Sequence, residues 1–191
     1  MGTPLDPRYL RSCLSRFVTG VAVVSYVADG ETRGLTVNSF TSVSLEPPLI
    51  LVSLARSAKA ALKMNETPFT VNLLKASQFD IAMQFAGRPR PGLELKWRAP
   101  EEDFAPALEG SLATFACRPW SSYDGGDHVL QLGEVVQADV SGDEEPLLFD
   151  RGRFAMIGLS LFDNPRVIEA GPILGNGIIR SQFVHHLAAA G

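Results

Sequence analysis

Apolar and polar residues change places at short intervals along most of this chain, and few stretches keep a helical period for long. The first helical signal is Asp6 followed by Pro7, an N-cap and a first-turn proline, with Leu10, Cys13, Leu14 and Phe17 forming one stripe at i, i+3, i+4 and i+7. Gly20 closes that helix. Residues 21–27 are a β-branched run, and Asp29-Gly30 is a hairpin signal. In residues 33–45, Leu35, Val37, Val43 and Leu45 alternate with Thr36, Ser42 and Ser44, which predicts one half-buried strand. Pro47-Pro48 ends its pairing, and residues 49–54 read as a fully buried strand.

Ser57 is placed to cap a short helix over 58–64, and 69–74 returns as a strand. Ser77 is placed to cap a second helix carrying Phe79, Ile81, Ala82 and Phe85. Residues 87–106 are rich in proline and charge and are the candidate for a mobile loop or lid. Residues 111–123 and 128–140 predict two long strands around Asp124-Gly125-Gly126-Asp127, and 146–157 another strand. Asp163-Asn164-Pro165 is a turn signal, and 180–190 fits a final helix. Strands at short intervals with hairpin signals and few helices predict a mostly β fold, an antiparallel barrel with a few flanking helices.

A chain of 191 residues suits a single domain, residues 1–191, with its own core. The net charge of -4 argues against nucleic acid as a partner, because phosphate binding needs a basic footprint. No apolar run reaches the roughly 18 residues needed to cross a bilayer, and the first residues do not read as a secretory signal, so a cytoplasmic protein is expected. The two cysteines, Cys13 and Cys117, sit in apolar patterns and are expected to be buried, reduced thiols.

The chemistry is sparse. Gly175-Asn176-Gly177 breaks the dinucleotide fingerprint, and neither a phosphate loop nor a Cys-x-x-Cys pair occurs. His185 and His186 are adjacent and would point apart on a helix, so no metal site is expected. The informative stretch is 33–48, where Asn38, Ser39 and Thr41 surround Phe40 and Gly34 permits close approach. Read from the residues alone it is first a Ser/Thr-rich edge strand followed by a turn, and it would also suit a planar heterocycle with ring nitrogens and carbonyls. His128 begins a strand after a Gly-Gly turn, where it can face a cleft or merely cap the surface.

Three segments carry a resemblance. Thr19-Gly20-Val21, the run from Gly34-Leu35-Thr36-Val37-Asn38-Ser39-Phe40 to Pro47-Pro48-Leu49, and Gly126-Asp127-His128 through Gly133-Glu134-Val135 closely resemble the flavin reductase family. These are NAD(P)H:flavin oxidoreductases that serve two-component monooxygenases. The likeness runs roughly from Leu10 to Phe154, and residues 155–191 form a poorly matched tail.

The resemblance implies a split β-barrel homodimer that moves hydride from NADH or NADPH to FMN or FAD. It implies flavin contacts from Arg33, Gly34, Leu35, Thr36, Asn38 and Ser39, from Ser53, Leu54 and Ala55, and from Gln84 and Phe85. Arg56, Ser57 and Lys59 would lie near the flavin phosphate, at the start of the short helix. His128 matches the histidine associated with nicotinamide, and Asp150, Arg151, Gly152 and Arg153 match a segment that contacts the dinucleotide in some members. Read from the residues alone, Arg56 and Lys59 also fit as solvated charges and Phe85 as core. Leu95-Lys96-Trp97 and Phe104-Ala105-Pro106 depart from the family pattern. Two alternatives share the barrel: a flavin-binding protein without nicotinamide turnover, and a fixed-flavin reductase of a second substrate such as a corrinoid or quinone.

Overall fold

The computed structural model describes residues 5–99 and 104–158. Met1–Met156 form one compact unit; of the second, Ile157–Gly191, only residues 157 and 158 are described. The expected turn at Asp163-Asn164-Pro165, the helix at 180–190, Gly175-Asn176-Gly177 and His185-His186 lie outside the described residues.

Helix α1, Pro7–Leu14, starts as its sequence predicts, with the Asp6 carboxylate accepting from the Arg8 N–H at 2.9 Å. Strands β1 (Thr19–Gly20), β2 (Ala22–Ala28) and β3 (Glu31–Val37) follow. Asp29 and Gly30 both adopt positive φ, 56° and 75°, the geometry of a tight hairpin whose twist matches its strands. Next come β4 (Thr41–Leu45), β5 (Pro48–Ala55), α2 (Lys59–Lys63) and β6 (Phe69–Leu73). A 3-10 turn, Ala76–Gln78, leads into α3 (Phe79–Phe85). Two short strands, β7 (Trp97–Arg98) and β8 (Ala107–Leu108), pair with each other. The long hairpin of β9 (Ala113–Gly125) and β10 (His128–Val140) turns on Gly126 and Asp127, with Gly126 at φ 77°. A last hairpin, β11 (Leu148–Asp150) and β12 (Arg153–Ala155), turns on Arg151 and Gly152, both at positive φ.

Seven strands form one antiparallel sheet in the order β3-β2-β6-β9-β10-β5-β4. Its two edge strands, β3 and β4, are consecutive in sequence and separated only by residues 38–40. Four Cα steps reach at most about 14 Å, so the ends of the sheet must come together. The sheet therefore curls into a barrel with an open seam beside β3, as the mostly β, antiparallel expectation had it.

Several local expectations change. Residues 33–45 are two strands, because the chain crosses the seam at 38–40. Pro48 does not end pairing; it opens β5 and pairs in register with Leu45. Residues 146–157 hold a two-strand hairpin. Ser57 and Ser77 do not cap: the N-cap residues of α2 and α3 are Ala58 and Gln78, both without a side-chain cap bond. The stretch 87–106 is not loose at its far end, where Phe104 and Ala105 are buried and the Ser25 and Thr70 hydroxyls donate to the Pro106 and Ala105 carbonyls at 2.7 and 2.6 Å.

Strand β2 explains its own composition. Ala22, Val24 and Tyr26 face one buried cluster, with Val52, Leu54, Phe69 and Val71, while Val23 joins Val21 in a second, with Leu74, Ala82, Leu108 and Leu147. With both faces covered, a continuous apolar run replaces alternation. Helix α1 departs from its expectation: none of its residues is buried, and Leu10, Leu14 and Phe17 are 41%, 65% and 79% exposed. Cys13 is exposed with them, whereas Cys117 is buried as predicted, and both thiols are free.

Candidate functional site

The seam is where the sheet leaves polar groups without partners. Among the described residues, strand β3 pairs only with β2, so alternate backbone N–H and C=O groups on its outer edge meet no described strand. A cavity of about 220 Å³ opens there, lined by Leu35, Thr36, Val37, Asn38 and Ser39 on one side and by Ser53, Leu54, Ala55, Ala58 and His128 on the other. Segments distant in sequence meet because β5 and β10 are neighbours, with His128 in register with Ala55, Val129 with Leu54 and Leu130 with Ser53.

Each polar side chain of the crossing is already fastened. The Thr36 hydroxyl donates to the Ala82 carbonyl at 2.7 Å, tying β3 to α3. Asn38 Nδ2 donates to Thr19 Oγ1 at 3.2 Å. Ser39 clips the seam: its hydroxyl donates to the Ser53 carbonyl at 2.9 Å and accepts from the Ser53 N–H at 3.0 Å. The hydroxyl of Ser39 thus sets the position of the strand edges, and the backbone groups of β3 are left to meet a ligand.

The wall carrying His128 is held by charge. Arg56 donates from Nε to the Gly126 carbonyl and from Nη2 to Asp124 Oδ2, both at 2.6 Å, and its N–H donates to the Asp127 carbonyl at 3.0 Å. The Asp124 carboxyl titrates below its ordinary range, first because the Gly126 N–H donates to it and then because of the Arg56 guanidinium. His128 Nδ1 lies 2.7 Å from Asp127 Oδ1. That contact places the proton of a neutral ring on Nδ1 and leaves Nε2 as the acceptor. Asp127 is likewise held below the usual carboxylate range, chiefly by the His128 hydrogen bond and charge, with a smaller contribution from Arg11.

Other expected site residues lie elsewhere. Arg33 pairs with Glu31 at 2.7 Å and does not line the cavity. Gly34 faces Phe85, whose ring occupies the space that a Cβ would take. Gln84 accepts from the Arg90 N–H at 2.6 Å, so its side chain secures the chain after α3. Arg56 is a clasp on the turn, and α2, with five residues, is too short to act as a phosphate site by itself. Arg151 and Gly152 line a different groove, against α1. Sequence reasoning missed Val37 and Ala58 in the cavity. A smaller adjoining cavity of about 170 Å³ shares Thr36, Val37 and Asn38 and adds Val21, Ala86, Phe149 and Phe154. A signal for that second wall was the Thr19-Gly20-Val21 motif, whose Thr19 meets Asn38.

A flavin ring system presents an N–H flanked by two carbonyls on one edge and apolar faces above and below. The outer edge of β3 offers complementary N–H and C=O groups, and Leu35, Val37, Leu54 and Ala55 offer apolar contact. The residues present fit that group.

Comparison with known proteins agrees. The model of the flavin reductase like domain matches residues 14–158. The chain is 41% identical over 157 residues to the NADH-dependent FAD reductase of Streptomyces globisporus, covering 79% of this chain and 86% of that protein. It is 37% identical over 163 residues to the reductase subunit HsaB of a flavin-dependent monooxygenase from Mycobacterium tuberculosis, covering 82% and 86%. Among solved structures, the NADH:FAD oxidoreductase of Streptomyces globisporus C-1027 in complex with NAD and FAD fragments superposes with a TM-score of 0.75 at 36% identity, covering 84% of this chain and all (100%) of that one.

Proposed function

The chain belongs to the flavin reductase like domain family, and from that premise we propose that it transfers a hydride from NADH to FMN or FAD and releases the reduced flavin to a partner monooxygenase. The observation that carries the reading is the seam cavity, where Leu35, Thr36, Asn38, Ser39, Ser53, Leu54, Ala55 and His128 come together from three strands and a crossing. In the proposed arrangement the β3 edge and residues 53–55 hold the flavin ring, Ser57 and Lys59 lie toward its phosphate, and His128 meets the nicotinamide. Bound flavin supplies the two-electron acceptor chemistry. The chain itself binds, orients and excludes water. Thr36 and Ser39 fix the two rims, and Arg56 with Asp124 fixes the turn that carries His128. With its Nδ1 held by Asp127, the His128 ring offers one defined nitrogen to a donor carboxamide.

A homodimer completes the proposal. The outward stripe of α1 and the exposed Val43 and Leu45 of β4 are apolar surfaces that a second copy would cover. Among the described residues no helix is long and apolar enough to cross a membrane. The two free thiols suit the reducing cytoplasm, where we place the reaction.

The test is NADH oxidation with and without added FMN or FAD. Turnover that requires free flavin is expected; flavin that co-purifies and stays oxidised under excess NADH would refute the reading. His128→Ala should raise the KM for NADH by about threefold to tenfold, the worth of one neutral hydrogen bond, with flavin affinity unchanged. The reverse pattern would put His128 on the flavin side. Sedimentation as a monomer at micromolar concentration would remove the homodimer.

A further inference from the structure

The two hydrophobic clusters of the barrel do not close on each other completely. A cavity of about 150 Å³ draws its walls from both, with Ala22, Phe40 and Leu73 from the first and Val21, Leu74 and Leu147 from the second. The backbone around it is already paired. The Val21 N–H donates to the Leu147 carbonyl at 3.0 Å, the Leu147 N–H to the Leu74 carbonyl at 2.9 Å, and the Leu74 N–H back to the Val21 carbonyl at 3.0 Å. The Leu112 N–H, in the same lining, donates to the Leu73 carbonyl at 2.8 Å. Among the described residues the polar side chains of the lining are Thr19 and Asn38, which are bonded to each other at 3.2 Å. Buried water needs two to four polar partners, so this space suits water poorly; an apolar void of about this size takes a benzene-sized molecule instead.

The cavity also shares a wall with the seam. Residues 38–40 carry the chain from β3 to β4, and each of the three has a place in this arrangement. Asn38 lines both cavities, Ser39 clips the seam to Ser53, and Phe40 lines the apolar cavity with its ring stacked on Phe115 at 5.6 Å. A ring that borders a void lacks the dispersion contacts that atoms there would supply. An occupant restores those contacts and holds the crossing in the position where Ser39 makes its clip.

We propose that this cavity binds a small uncharged molecule of one aromatic ring, and that its occupation tightens flavin binding at the seam. The site follows from the size and chemistry of the lining; its effect on flavin rests on the flavin reductase reading given above. No charged side chain of the lining could neutralise an ion. An aromatic ring suits the space better than an alkyl group, because it adds a favourable offset or edge contact with Phe40. The effect is reciprocal: flavin must tighten binding of the ring by the same factor.

The experiment titrates toluene into the full chain, without flavin or NADH, by ligand-detected NMR and melting curves. At ten times its half-saturating concentration toluene should raise the Tm by about 3–6 °C. Leu112→Trp fills the cavity and should abolish the rise, whereas Leu62→Trp, at an exposed position of α2, should leave it intact. Leu112→Ala keeps the test sharp where the tryptophan variant fails to fold: it should admit naphthalene, which the parent chain excludes. Absence of toluene binding to the parent chain overturns the proposal, as do equal losses in Leu112→Trp and Leu62→Trp, or naphthalene binding that Leu112→Ala does not change. Toluene binding that vanishes as the chain dimerises would put a side chain of the second copy in the cavity, and overturns it too. FMN is then titrated with and without saturating toluene; about fivefold tighter binding is expected, and equal affinity overturns the link to the seam. A chain that binds toluene but never oxidises NADH refutes the enzymatic reading and leaves the site standing. One that oxidises NADH but ignores toluene does the reverse.

Discussion

Gly34→Ala tests whether the seam is shaped by packing behind it. Gly34 stands on β3 opposite Ser25 of β2. A Cβ built there would lie 2.5 Å from Phe85 Cδ1, 2.6 Å from Cε1 and 3.0 Å from Cγ. Carbon atoms pack best at about 3.5–4.0 Å, so the ring or the strand must retreat by about 1 Å. The ring is not free to swing, because Phe85 packs on the second cluster and its centroid lies 6.0 Å from that of Trp97. Nor is the strand, because Thr36, two residues on, is bonded to Ala82 of α3. Overpacking of this kind costs about 1–3 kcal/mol. Alanine recovers about 0.5–1 kcal/mol of the glycine entropy cost, which leaves a net loss of about 1–2 kcal/mol. For a chain of this size that is a fall in Tm of about 2–8 °C.

Urea unfolding gives the stability, and flavin titration by fluorescence gives the function, which should weaken because the β3 edge moves at Leu35 and Thr36. Phe85→Leu removes ring atoms from the clash, so the double variant should lose less than the two single losses combined. An unperturbed Gly34→Ala, or strictly additive losses in the double variant, would show that helix α3 does not set the position of β3.

Three further outcomes follow from named contacts. Ser39→Ala removes both bonds to Ser53 and should cost about 1–2 kcal/mol in urea unfolding together with a loss of flavin affinity; a loss of neither would mean that the clip is incidental. Asp124→Asn should destabilise at neutral pH and not in acid. The folded carboxyl titrates below its ordinary 3.8, so its contribution is complete above that value and disappears as pH falls through the lower folded value; a penalty that persisted in strong acid would exclude the charge as its source. A thiol reagent at pH 8 should modify Cys13 quickly and spare Cys117, whose burial pushes its thiol up to about 12, until the chain unfolds; rapid modification of both would place Cys117 at the surface.

The hairpins were legible because their signals are local. Asp29-Gly30 and Gly126-Asp127 sit where two residues decide the turn, and the strands on either side carry the alternation or the apolar run that confirms it. The joining of residues 35–39, 53–55 and His128 was legible only through the long ordered motif of the resemblance, since alternation assigns a strand but not its neighbour. The break at 38–40 left no trace, because Leu35, Val37, Val43 and Leu45 keep one alternation through the crossing. What interrupts the strand there is closure of the sheet, a property of all seven strands together.

Partner choice was the other hidden layer, and it changed what particular residues do. Arg56 finds its carboxylate 68 residues on, at Asp124, and Gln84 its backbone donor at Arg90. Motif matching had pointed both at the flavin, where each has a side chain of suitable chemistry. In the fold both are spent on holding a turn. Helix α1 shows the same limit at the scale of an element. Its period defines two faces, Leu10-Cys13-Leu14-Phe17 and Arg8-Arg11-Ser12-Ser15, and amphipathicity alone predicts the apolar one inward. In the fold no residue of the helix is buried, and the bond that ties its end to the barrel is between backbones, the Arg151 N–H donating to the Ser15 carbonyl. An apolar stripe left outward calls for a second apolar surface, which the proposed homodimer would supply. Phe17→Asp should therefore shift sedimentation toward the monomer, whereas Arg11→Gln, on the other face, should leave it unchanged.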